Sequence, residues 1–238
     1  MKSLRLLVLF LMTVLWLTAP VFAGQLDDGM KAFARGDYET AFKLLSPLAE
    51  QGDAHAQNDI GVMYYTGKGA PQDNSKAIGW YRKAAEQGYD DAQYRLGFMY
   101  DNGPGAPQDY AEAIKWYKKA AEQGHADAQY NVALMLDSGR GALQDYDQAV
   151  KWYKKSAEQG HAEAQYNLAL MYSFGQGTPQ DYVEAHKWSE ISAARSVDEA
   201  RDLALTLRDQ VAEKMTPAQI EKAMKLAKKW KPMQEMSK

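Results

Sequence analysis

The sequence predicts an all-α protein, an α/α solenoid of stacked helix pairs with a 36-residue period, and three observations carry that expectation. First, one block recurs at a fixed spacing: LAEQGDAHAQND at 48–59, AAEQGYDDAQYR at 84–95, AAEQGHADAQYN at 120–131 and SAEQGHAEAQYN at 156–167. Second, single residues keep the same step: Trp80, Trp116, Trp152 and Trp188, and Asp37, Asp73, Asp109, Asp145 and Asp181. Third, glycine loops of one phase, TGKGAPQD, NGPGAPQD, SGRGALQD and FGQGTPQD, separate apolar residues at helical spacing. A period of this length marks a repeat array, in which no unit buries its apolar face alone and stacked neighbours share one core.

Taken in order, residues 1–23 read as a secretory signal peptide. Lys2 and Arg5 precede the apolar run Leu6–Thr18, and APVFA follows with Val21 and Ala23 at the −3 and −1 positions. The run is shorter than the roughly 20 residues a bilayer-spanning helix needs. Cleavage after Ala23 and a periplasmic or secreted mature chain without membrane insertion are therefore expected. Leu26–Arg35 and Tyr38–Gln51 read as a truncated helix pair (24–52) without the long glycine loop, kinked at Pro47.

Four full units follow at 53–88, 89–124, 125–160 and 161–196. In the third, Val132, Ala133 and Leu136 line one face of a first helix within Ala126–Asp137. Gly139 and Gly141 end that helix, since glycine accepts the positive φ of a helix exit. Asp145 is placed to N-cap the second helix, which carries Ala149, Val150, Trp152, Tyr153 and Ala157 and ends at Gly160. Small residues at matching phases (Gly61, Gly97, Ala133, Ala169; Ala85, Ala121, Ala157, Ala193) let helix axes approach closely. The Trp column is expected between layers. Residues 197–238 read as capping helices and a tail. Ser196–Glu199 has the S-x-x-E form of a capping box and opens a helix to about Lys214. Thr216–Gln219, with Pro217 at the first helical position, opens a last helix to about Trp230.

Composition excludes several functions. The 238 residues carry 28 basic and 31 acidic side chains, a net charge of −3, which is no footprint for nucleic acid. There is no cysteine, so no disulfide framework and no thiol nucleophile. AAEQGHADAQYN gathers Glu122, Gln123, His125, Asp127 and Gln129, the makings of an acid/base or metal site. Its copies 36 residues away instead mark a joint between helices. His125 and His161 share one phase and fall about 8–10 Å apart, the spacing of neighbouring helices. Ligands of one zinc lie only about 2 Å from the metal. No metal is expected, and these histidines, with His55 and His186, are expected at the surface. The G-x-G loops follow no strand and lack the third glycine of a dinucleotide site, so no cofactor is expected. No Ser/His/Asp or Cys/His set emerges, and the carboxylates recur with the repeat, so no catalytic residue is expected. The last helix carries Ile220, Ala223, Met224, Ala227 and Trp230 on one side amid Lys222, Lys225, Lys228, Lys229 and Lys231. A basic amphipathic helix can lie on a membrane; capping the solenoid end is the expected role.

The full unit pattern, A-x-A-Q-Y-x-L-x-x-M-Y-x-x-G-x-G-x-P-Q-D-Y-x-x-A-x-x-W-Y-x-K-A-A-E-Q-G, resembles the Sel-one-like repeat (SLR), a relative of the tetratricopeptide repeat, over about 53–196. The resemblance, to the exported bacterial type, implies a right-handed solenoid whose first helices line a concave groove. The stripe one step off the core then runs through Asn58, Val62 and Tyr65; Tyr94, Phe98 and Asp101; Tyr130, Leu134 and Asp137; Tyr166, Leu170 and Ser173. Arg95, Asn131 and Asn167 flank it. Aromatic and Arg anchors often dominate protein interfaces, and Asp101, Asp137 and nearby Asp59 are expected to select a basic segment. The implied function is a non-catalytic exported scaffold for a protein partner: an envelope regulator, a host-interaction factor, or an immunity protein against a periplasmic toxin. The alternative is an enzyme acting on cell-wall material or a β-lactam. Cysteine-rich relatives are associated with β-lactams, and this chain lacks their paired cysteines.

Overall fold

The computed structural model describes residues 24–233; the segment read as a signal peptide lies outside the described residues. Among the described residues every regular element is a helix. They are α1 (24–34), α2 (Tyr38–Glu50), α3 (Ala54–Thr66), α4 (Asn74–Glu86), α5 (Asp90–Asn102), α6 (Tyr110–Glu122), α7 (Ala126–Ser138), α8 (Tyr146–Gln159), α9 (Ala162–Phe174), α10 (Tyr182–Arg195), α11 (Asp198–Ala212) and α12 (Pro217–Lys229). The fold is the α/α solenoid of helix pairs. It divides into two compact units, Met1–Met99 with Gly103–Pro107, and Tyr100–Asn102 with Gln108–Lys238. In the first, α3 packs between α2 and α4. In the second, α6 to α11 pack each on the next, and α12 also lies on α10.

The recurring aspartates start the second helices. Asp37, Asp73, Asp109, Asp145 and Asp181 each accept a backbone N–H of the following turn, at 2.9–3.2 Å. Each such cap is worth about 1 kcal/mol. α2 continues through Pro47 to Glu50. Alanines of the repeat pattern, among them Ala56, Ala92, Ala128 and Ala164, are fully buried where helices cross. Tyr81, Tyr117 and Tyr153 fill the space beside them. Gly61 is glycine because a Cβ there would meet the Tyr81 ring at 2.6 Å.

The AEQG joint closes by backbone geometry. Gly124 takes φ +102°, and His125 N–H reaches back to the Ala120 carbonyl at 3.2 Å. That is the hydrogen bond of a Schellman helix end. A buried glutamine then spans each joint. Gln57, Gln93, Gln129 and Gln165 donate through Nε2 to the carbonyls of Ala49, Ala85, Ala121 and Ala157, at 3.0–3.1 Å. Two of the Oε1 atoms also accept from the glutamine of the next joint: Gln87 donates to Gln57 at 2.8 Å and Gln159 to Gln129 at 2.9 Å. Arg195 stands where the next glutamine would be; it donates to the Gly160 carbonyl instead, and Gln165 Oε1 has no hydrogen-bond partner.

The glycine loops do more than end a helix. The first glycine, at 67, 103, 139 or 175, takes a left-handed C-cap. The second approaches the preceding repeat: a Cβ on Gly69, Gly141 or Gly177 would overlap the carbonyl of Tyr38, Tyr110 or Tyr146. The loop glutamines Gln72, Gln108, Gln144 and Gln180 then donate to the last turn of the first helix, at 2.6–3.0 Å.

Two expectations about the C-terminal part divide. Thr216 and Gln219 form the reciprocal capping box, and α12 ends at Lys229. Ser196 does not cap α11. Its N–H closes α10 on Ser192, Val197 is the N-cap without a side-chain bond, and Asp198 takes φ +48°. The left-handed step at Asp198 removes the Ser196 hydroxyl from the amides it was expected to meet. The Trp column is only partly interior: Trp116 and Trp188 are buried, Trp80 and Trp152 half-buried. A lysine ammonium covers each ring at 3.9–4.4 Å, from Lys83, Lys119, Lys155 and Lys187.

Gln129→Leu removes one of two donors to the Ala121 carbonyl and one of two acceptors of the Gln159 amide, and is expected to cost about 1 kcal/mol in urea unfolding. Gly141→Ala combines a left-handed backbone with overlap on the Tyr110 carbonyl, and is expected to cost at least about 2 kcal/mol. Gly124→Ala, left-handed with nothing within 4 Å of the added Cβ, should cost only about 1–2 kcal/mol in the same assay.

Candidate protein-binding face

The first helices present the expected stripe, but the residues on it meet different fates. Val62, Tyr65, Tyr94, Arg95, Phe98, Asp101, Tyr130, Asn131, Leu134, Asp137, Tyr166, Asn167 and Leu170 are half-buried. Asn58 and Ser173 are buried, each only 4% exposed. Asn58 therefore leaves the face: its Nδ2 donates to Asp59 at 3.2 Å.

In the first unit, Tyr65, Tyr94, Arg95 and Phe98 line one cavity of about 200 Å³ together with Tyr81 and Met99. The Tyr65 and Phe98 rings meet edge to face at 6.4 Å. Tyr81 and Met99 were absent from the expected stripe because both belong to the core pattern; Tyr81 forms the inner wall from α4. Burial pushes its hydroxyl well above the ordinary phenol range, so it stays protonated.

In the second unit, the corresponding side chains are tied to one another. The Tyr153 hydroxyl donates to Asp137 Oδ2 at 3.3 Å and accepts from Asn167 Nδ2 at 3.3 Å. Tyr130 stacks on His161, centroids 4.5 Å apart and planes 22° apart. Asp101 lies 3.9 Å from Arg140, whose guanidinium also covers Tyr110. Burial raises the carboxyl pKa of both Asp137 and Asp59 above the ordinary aspartate value. The three acids expected to select a basic segment are thus drawn into internal contacts.

His55 is at the surface as expected, and the other three histidines depart from that role. His125 and His161 are N-caps, accepting through Nδ1 from Ala128 and Ala164 N–H at 3.3 and 3.2 Å. With Nδ1 an acceptor, the proton sits on Nε2, which in His161 faces Asp127 Oδ1 at 3.4 Å. Glu163 stands 3.3 Å from Nδ1. Burial lowers the His161 pKa below 6.5, against the opposing pull of Glu163 and Asp127. His186 is also buried, 3% exposed, and its pKa is lowered by burial. His55 is exposed, its ring 4.6 Å from Tyr89. Among the described residues, no three His, Asp or Glu side chains gather as a metal site, and no helix is long and apolar enough to cross a membrane.

The end cap holds a feature the amphipathic pattern did not suggest. Between α10 and α12 lies a cavity of about 1160 Å³, lined by Ile191, Ala194, Ile220, Met224 and Trp230 among others. Ala223 alone of the α12 stripe is buried; Trp230 meets Trp188 edge on at 5.9 Å.

Stacked helix pairs sharing a glutamine-bridged joint define a repeat solenoid. The Sel1 repeat matches residues 26–53, 54–89, 90–125, 126–161 and 162–197, and the chain belongs to the Sel1 repeat family. The match includes the first helix pair and begins each unit one residue after the period as cut above. A crystal structure of a Sel1 repeat protein from Oxalobacter formigenes is similar, with a TM-score of 0.70 and 31% identity, covering 81% of this chain and 86% of that one. A protective antigen present in uropathogenic Escherichia coli strains, displaying an SLR fold, has a TM-score of 0.55 and 31% identity over 87% of this chain and 52% of its own. The ERAD-associated E3 ubiquitin-protein ligase component HRD3A of Arabidopsis thaliana is 36% identical over 59 residues, 24% of this chain and 9% of that protein. The chain thus matches a small part of HRD3A and about half of the antigen.

The His161 geometry makes stability depend on pH. The unfolded chain takes up a proton at the histidine near 6.5, the folded chain only at lower pH. Its contribution is complete above 6.5 and is lost as pH falls below that value. Urea unfolding at pH 7 and pH 5 should show this loss. His161→Asn, which keeps an N-cap side chain, should shrink the difference between the two pH values.

Proposed function

We propose that this chain is a non-catalytic, exported repeat scaffold that binds a partner protein through the concave groove expected along its first helices. Sel1 repeat proteins are generally protein-interaction scaffolds. The observation that carries the reading for this chain is the cavity of the first unit. It is built where the repeat departs from itself: Tyr65, Arg95 and Phe98 replace residues that are Asp137, Asn167 and Leu170 two periods on. Residues that recur hold the array together; these do not recur, and they border open space. Aromatic and arginine side chains around a cavity are what interface anchors consist of. Export rests on the N-terminal pattern of Lys2 and Arg5, an apolar run and Val21-Phe22-Ala23.

The test is affinity capture on the purified chain from an envelope extract of the source organism, followed by affinity measurement with the captured protein. Phe98→Ala and Tyr94→Ala are each expected to weaken that complex by about tenfold or more, about 1.4 kcal/mol, with unchanged helicity in circular dichroism. Unchanged affinity for both variants overturns the assignment of this face.

A further inference from the structure

The cavity of the first unit differs in charge from its counterpart in the second. In the second unit, Asn167, Tyr153 and Asp137 form a hydrogen-bonded chain of amide, hydroxyl and carboxylate. Two periods earlier, Tyr81 holds the place of Tyr153, but Tyr65 stands for Asp137 and Arg95 for Asn167. An acid has become an aromatic ring and a neutral amide has become a cation.

Arg95 is left without a counter-charge. Its guanidinium lines the cavity and lies against the Tyr81 hydroxyl. Its Nε is shut off from water and has no hydrogen-bond acceptor. Among the described residues, no carboxylate lies within ion-pair distance of it. Asp59, which accepts from Asn58 and whose carboxyl pKa burial raises, interacts with Arg95 through its charge from beyond ion-pair distance. Arginine keeps its charge at every accessible pH. A half-buried cation that meets a neutral hydroxyl and no paired carboxylate is costly, and an incoming carboxylate offsets that cost while forming a strong charge-assisted hydrogen bond. The remaining walls, Tyr65, Tyr94, Phe98 and Met99, are aromatic or soft apolar surface. A volume of about 200 Å³ admits a single side chain.

We propose that the cavity lined by Tyr65, Tyr94, Arg95 and Phe98 receives an acidic side chain of the partner protein, its carboxylate on Arg95 and its methylenes against the rings. The inference rests on the binding face proposed above. It inverts the preference expected from Asp59, Asp101 and Asp137, whose carboxylates are taken up internally, and makes the recognised segment acidic.

The probe is a set of three peptides, acetyl-Leu-Glu-Leu-amide and its Gln and Lys counterparts, titrated into the isotope-labelled full chain and followed by NMR. The Glu peptide is expected to shift the Arg95 Nε–H and the Tyr65, Tyr94 and Phe98 ring resonances, and to bind at least about tenfold more tightly than the other two. Arg95→Asn and Tyr65→Asp each install the residue that a later repeat carries at that position. Both should abolish the preference for Glu with circular dichroism unchanged. Equal binding of the three peptides, tighter binding of the Lys peptide, or a Glu preference that survives both substitutions overturns the proposal. If the Glu preference is absent while Phe98→Ala still weakens the captured complex, the binding face stands and the acidic anchor alone falls.

Discussion

The amide of one buried glutamine per repeat is the interaction on which the rest of this structure depends. A helix end leaves carbonyls without partners, and a buried end cannot take them from water. At each joint the glycine N–H takes one lone pair of the carbonyl of Ala49, Ala85, Ala121 or Ala157, and Gln57, Gln93, Gln129 and Gln165 supply a second donor to the same oxygen. In Gln57 and Gln129 the other end of the same amide takes a hydrogen bond from the glutamine of the next AEQG, Gln87 and Gln159. One side chain thus closes a helix within its repeat and sets the register to the next. The array ends where the pattern does: Arg195 replaces the donor, and Gln165 Oε1 goes without one.

A register held by so few recurring groups leaves the other positions free to differ. The first helices use that freedom in two ways. In the second unit, Asp137, Asn167, Tyr130 and His161 are spent on contacts within and between repeats. In the first unit, the same positions carry Tyr65 and Arg95 and leave a cavity with a cation on its wall. Structure and recognition therefore occupy the same stripe, separated by which residues complete one another.

Much of the fold was legible because its signals are local. The aspartate column reads as N-caps, and each one caps; Thr216 with Gln219 reads as a capping box and forms one. Where a signal depended on its surroundings, the reading failed. Ser196–Glu199 has the letters of a capping box, but a left-handed Asp198 separates the hydroxyl from its amides. His161 and His186 look like surface residues in a polar segment, yet His161 is half-buried in a stack with Tyr130 and His186 is buried. The second glycine of each loop reads as turn chemistry alone, whereas its bare Cα is required by the backbone of the preceding repeat.

The sequence by itself determined the period, the helix pairs, their caps and the residue classes on each face. These follow from backbone sterics and from short-range hydrogen bonds, which three or four neighbouring residues decide. Tertiary structure alone decided which polar groups find partners. Asn58 sinks, Asp137 is claimed by Tyr153, and Arg95 is left uncompensated, because each outcome depends on atoms about 14 to 30 residues away or more in the chain, brought close only by stacking.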